Sequence, residues 1–163
     1  MTFEIEIDTS EAIRASGTGS TDLRGDLDEL ALPLCDLLDE AGVKFRAGGF
    51  GDDQWPVDVR FDLASIIPQL PSVIDSLNSG SDTELDFFEQ GIQRLIVITF
   101  HGDQAVLKCH SSGKWKPREL QEERSRRDLG DMLIRFVNKL SAAVSLVAPE
   151  LSIIEPFTTW ARL

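Results

Sequence analysis

Apolar and polar residues alternate at the start of the chain, where Phe3, Ile5 and Ile7 interleave with Glu4 and Glu6, the period of a half-buried strand. After a Gly/Ser/Thr-rich turn over residues 16–20, Leu23, Leu27, Leu30, Leu34 and Leu37 recur at helical spacing, with Gly42 placed as a C-terminal cap. This predicts an amphipathic helix that Pro33 should kink or divide. Residues 47–54 have loop composition, and Val57, Val59, Phe61 and Leu63 then alternate with Asp58, Arg60 and Asp62, predicting a second strand. Ile67, Leu70, Val73, Ile74 and Leu77 return to helical spacing, with Pro68 or Pro71 tolerated in a first turn.

Residues 85–90, 93–100 and 105–110 read as three consecutive strands, the last two joined by a tight turn at His101-Gly102-Asp103-Gln104. From Pro117 to Ala148 the pattern is helical, with Leu129, Met132, Leu133, Phe136, Val137, Leu140, Val144 and Val147 on one face and Pro149 closing it. The order β, α, β, α, β, β, β, α predicts a single α+β domain over residues 1–163, an antiparallel β-meander packed by two or three helices.

Charge narrows the partners. The 163 residues carry 16 Lys+Arg against 28 Asp+Glu, net −12, which disfavours nucleic acid and anionic membranes as partners. Glu4, Glu6 and Asp8 stand where a secretory signal needs basic residues, and the apolar run Leu95 to Ile98 is far too short to span a bilayer, so a cytoplasmic location is expected. Cys35 and Cys109 lie in apolar segments and are expected to be buried free thiols.

The charge is uneven. Residues 1–80 hold 16 acidic and 5 basic side chains, net −11, whereas residues 81–163 hold 12 and 11, net −1. Asp22, Asp26, Glu29, Asp36 and Glu40 follow the leucine stripe one position behind, Asp28 and Asp39 widen the band, and Asp52, Asp53, Asp58 and Asp62 extend it. Such a band is either a solvated face or a docking surface for a basic protein, and Trp55 among Asp52, Asp53 and Asp58 has the composition of an aromatic anchor ringed by charge. Trp55, Trp115 and Trp160 all sit near element boundaries, where partial exposure is expected. Over residues 108–127 seven basic residues meet three acidic ones, net +4, and Glu122 with Arg126 and Glu123 with Arg127 fit helical i, i+4 pairs.

Candidate chemistry is sparse. His101, Asp103, Cys109 and His110 are the residues from which a nucleophile and base could be drawn, but strand alternation puts Cys109 and His110 on opposite faces. No spacing suits zinc, the acidic groups Asp26, Asp28 and Glu29 or Asp52 and Asp53 lack an EF-hand pattern, and Ala47-Gly-Gly-Phe-Gly lacks the Lys-Ser/Thr of a phosphate loop, so no metal or cofactor is expected.

The segment Leu85-Asp-Phe-Phe-Glu-Gln-Gly, Gly102-Asp103 in the following turn, then Cys109 and Trp115-Lys-Pro before a long helix, resembles the immunity proteins with which bacteria neutralise toxins of polymorphic and contact-dependent systems. That resemblance implies no catalysis but stoichiometric binding to a basic toxin domain, at or beside its active site. The resemblance carries over no functional residue; the acidic band and the Trp55 loop themselves point to Asp22, Asp26, Glu29, Asp36, Glu40, Asp52, Asp53, Trp55 and Asp58 as the partner-binding residues. The alternatives are a secretion-type chaperone, which would be a homodimer, and a small-molecule pocket or enzyme around His101, His110 and Glu89. The sequence leaves the oligomeric state open.

Overall fold

A computed structural model describes residues 2–13, 23–87 and 92–163. The expected turn at 16–20, Asp22 and Glu89 lie outside them. The fold is α+β: β1 (Glu4–Asp8), α1 (Leu27–Glu40) and β2 (Lys44–Gly48) come first, and β1 pairs antiparallel with β2 so that Ile5 faces Ala47 and Ile7 faces Phe45. After a helical stretch, β3 (Thr83–Phe87), β4 (Arg94–His101), β5 (Gln104–Ser111) and β6 (Gln121–Ser125) form an antiparallel meander in sequence order. The long helix α4 (Arg126–Val147) packs against β1, β5 and β6, and a 3-10 turn (Pro149–Leu151) and short helix (Phe157–Trp160) close the chain.

The helical face of α4 behaves as its spacing requires: all eight predicted apolar residues are buried. Its start does not. Ser125 caps it by accepting from the Asp128 amide, so Gln121–Ser125 is strand rather than helix, and the expected i, i+4 pairs from Glu122 and Glu123 do not form. Residue 122 is one of the inward positions of β6, and the residue there is a glutamate.

Residues 57–63 are also a correction. The chain forms a π-helical turn (Val59–Leu63) instead of a strand, because Asp58 caps it through the amides of Phe61 and Asp62 while the Asp62 carboxylate accepts the Asp58 amide in return. Val59 and Leu63 are four apart as well as alternating, so both are buried and Phe61 between them turns outward. The helical path continues through α2 (Ala64–Ile66), a 3-10 turn (Ile67–Gln69) and α3 (Leu70–Ser79), with Pro68 and Pro71 in first turns.

Helix α1 starts later than the leucine stripe, at Leu27, with the Asp26 side chain accepting from the Glu29 amide. Pro33 lies inside it without dividing it, and Gly42 follows the Ala41 cap at φ 86°. Strand β2 replaces the first part of the expected loop at 47–54. The buried apolar side chains form one cluster to which both sheets and the helices contribute.

Candidate partner-binding surface and the buried Arg94 centre

The outward face of α1 carries Asp28, Glu29, Leu32, Asp36, Asp39 and Glu40, all exposed. The π-helical turn lies against this helix, and Arg60 on it holds Asp36 Oδ1 at 3.0 Å and Asp39 Oδ2 at 3.6 Å. Two large apolar side chains stand in the same region, Leu32 at 54% and Phe61 at 46% exposure. Leu32 is one turn before Asp36, and Phe61 adjoins Arg60 in sequence. Each thus stands beside the α1 carboxylates or beside the Arg60 that holds two of them.

The nine residues expected to bind a partner separate into groups. Asp26, Glu29, Asp36 and Glu40 share the α1 surface, Asp58 caps the adjoining turn and is exposed, and Asp53 is exposed in the loop before Trp55. Asp52 is half-buried and holds the Trp115 indole N–H at 3.0 Å. Asp22 lies outside the described residues.

Trp55 is the clear correction: it is 5% exposed, its indole N–H donates to the Gly49 carbonyl at 3.3 Å, and it packs against Phe3, Phe50, Phe87 and Trp115. Buried in this way, it offers no anchor on this surface. Trp160 is buried as well, and Trp115 alone of the three is half-buried. Phe61, six residues beyond Trp55, is the exposed aromatic beside the acidic band, hidden from the sequence reading by its parity in an apparent strand.

A second centre was not foreseen. Arg94 opens β4 on its inner face, with Ile96 and Ile98 following at strand spacing, and is only 2% exposed. Its Cζ lies 3.4 Å from the Trp115 ring centroid and 4.5 Å from that of Trp55. With the two centroids 5.9 Å apart, the indoles meet the guanidinium from directions roughly at right angles, forming a corner. Burial holds Arg94 below its ordinary value against the opposing carboxylates of Asp52 and Asp62.

Asp62, 2% exposed, is pushed above its ordinary 3.8 chiefly by burial. A carboxyl raised on folding holds its proton more tightly in the native state, so stability falls as pH rises from the unfolded value through the raised one. Melting curves across that window should show this downward slope for the parent and its loss, as a difference between the two profiles, for Asp62→Asn. Identical slopes would contradict the assignment.

Cys35 and Cys109 are free and buried, as expected. Burial pushes both thiols up, Cys109 to about 11. Neither is expected to react with a disulfide reagent at mildly alkaline pH until denaturant is added; prompt release of one thiol equivalent from native protein would contradict this.

The Cys/His reading finds no site. Cys109 points inward and His110 outward, as alternation requires. His101 lies at the turn end of the sheet and His110 opposite Leu95, about 20 Å away at roughly 3.3 Å per residue, so the two histidines do not converge on one pocket. Among the described residues no group of three or more His, Cys, Asp or Glu is placed to hold a metal ion, and no helix is long and apolar enough to cross a membrane. Much of the basic segment turns onto backbone carbonyls: Arg124 reaches Phe3 and Asp128, Arg126 reaches Leu77 and Asn78, and Lys116 reaches Ser111.

Compared with protein-family models, curated proteins and solved structures, the chain finds no match in any of the three.

Proposed function

We propose that the protein is a binding module that engages a basic protein through the outer face of α1 and the adjoining π-helical turn, neutralising that partner stoichiometrically in the cytoplasm as a bacterial immunity protein does a toxin domain. The observation that supports this reading is that Leu32 on α1 and Phe61 on the adjoining turn are both exposed on elements that also expose Asp28, Glu29, Asp36 and Asp39. Apolar side chains supply affinity at the centre of an interface, while surrounding carboxylates steer a cationic partner and oppose an anionic one. Arg60 fixes two of those carboxylates, which lowers the conformational cost of presenting them.

The test is capture of partners from lysate at low and high salt, followed by calorimetric titration of the recovered protein. A basic partner binding one to one, weakened by salt, is expected. Phe61→Ala should weaken it by about 10- to 100-fold as a hot-spot truncation, and Glu29→Lys with Glu40→Lys should mainly slow association. An acidic partner, or a basic one held equally by the Phe61→Ala variant, would overturn the assignment.

A further inference from the structure

We propose that Arg94, Ser111 and Trp115 form a binding site for a small monocarboxylate, separate from the acidic surface of α1. The β4–β5 register sets Arg94 directly opposite Ser111, so both side chains leave the same inner face of the sheet as neighbours. Arg94 Nε, Arg94 Nη1 and Ser111 Oγ are buried and have no hydrogen-bond partner among the described residues. Buried polar atoms are almost always paired, because each unpaired one forfeits its hydration, and a guanidinium forfeits more than most. Adjacent donors from two strands without protein partners are thus placed to meet one acceptor.

The surroundings select the acceptor. Trp115 covers one face of the guanidinium and Trp55 closes a direction at right angles to it, so in-plane N–H groups remain to meet a ligand. The nearby carboxylates are engaged elsewhere: Asp52 Oδ2 on the Trp115 indole, and both Asp62 oxygens on the amides of Asp58 and Ile92. They balance part of the Arg94 charge from a distance and oppose a dianion. A singly charged carboxylate suits one buried guanidinium, and a flat one also gains contact with the indoles.

Ser111 is half-buried, and Ser112, Lys114 and Lys116 after it are exposed. A Cβ built on Gly113 would meet nothing nearer than Gln93 Oε1 and Ser111 Oγ, both at 3.9 Å, so this side of the hydroxyl is loosely filled. The Lys116 ammonium, 3.0 Å from the Ser111 carbonyl, adds positive charge beside Ser111. Burial of the donor atoms favours a free small acid over a carboxylate carried on a protein surface.

The probes are benzoate, its neutral analogue benzamide, and inorganic phosphate, each titrated into the full chain with tryptophan fluorescence and melting temperature as readouts. Benzoate should give a saturable fluorescence change and a rise in melting temperature, with benzamide and phosphate giving neither. Arg94→Met should abolish the response, and Ser111→Ala, which removes only a hydroxyl, should weaken it by about five- to tenfold, the effect of one hydrogen bond. If Arg94→Met fails to fold, the Ser111→Ala shift carries the test. No saturable response to benzoate, an equal response to benzamide, preference for phosphate, or an unchanged affinity in Ser111→Ala would each overturn the proposal.

Discussion

Replacing Glu122 by alanine is expected to lower unfolding stability by about 3–5 kcal/mol, read as a lower denaturation midpoint in urea. The carboxylate is 6% exposed and accepts the backbone N–H groups of Phe3 and Phe50, residues that are 1% and 0% exposed. Two residues along β6, Arg124 Nη1 donates to the Phe3 carbonyl at 2.8 Å. Strand β6 thus joins the start of the β1–β2 pair through side chains, where backbone pairing would otherwise continue the sheet. The Phe50 carbonyl in turn accepts the amides of Arg118 and Glu119 at 3.1 Å each, so the same glutamate anchors the turn that holds the approach to β6. Alanine would leave two buried donors without an acceptor, each worth about 1.5–3 kcal/mol when the acceptor is charged. Glu122→Gln keeps one oxygen but turns an NH2 toward the second donor, so roughly half the loss is expected. An alanine variant within about 1 kcal/mol of the parent would show that these amides find other partners.

Where the inward residues are apolar, the chain pattern is readable. The stripe from Leu129 to Val147 and the alternation through Leu85, Ile96, Ile98 and Leu107 each predict the element observed, because burial repeats with the period of the backbone. The α+β meander follows from these alone. Strand β6 escapes the pattern because the inward position that anchors it is a glutamate, so the strand reads as the charged first turn of α4. The turn at Val59–Leu63 escapes for a different reason: Val59 and Leu63 share the parity of a strand and are also four apart, and the Asp58 cap decides between the two periods.

The candidate sites were legible unevenly for the same reason. Acid spacing along α1 did locate an exposed face, since helical geometry converts sequence spacing directly into surface position. Trp55 misled because charged neighbours in a loop carry no period and say nothing about where the ring points. Arg94 did leave a signal, a cation at the inward parity of a strand otherwise built from isoleucines, but only the register opposite Ser111 gives it meaning.

Gly49→Ala should be comparably severe, at about 3 kcal/mol or more, and for a reason that side-chain chemistry cannot relieve. Gly49 has φ 135°, and a Cβ there would lie 2.6 Å from Phe3 Cα and 3.0 Å from Phe3 N. Both are backbone atoms of the residue that Glu122 and Arg124 clamp, so the obstacle cannot rotate aside. Gly49 also exchanges backbone hydrogen bonds with Asp52 at 2.8 and 3.1 Å and receives the Trp55 indole N–H, which ties its position to the floor of the Arg94 corner. Gly102 separates the two contributions. Its φ is 61°, yet an added Cβ would meet nothing within 4 Å, so Gly102→Ala should cost only about 1 kcal/mol, the penalty of a left-handed backbone for an L-residue. The excess at Gly49 measures the collision with Phe3. Because that collision pushes directly on the Trp55 environment, the tryptophan fluorescence of any folded Gly49→Ala protein should also shift, while that of Gly102→Ala stays at the parent value. Equal costs at the two glycines would mean that the approach of residue 49 to residue 3 is not close in solution.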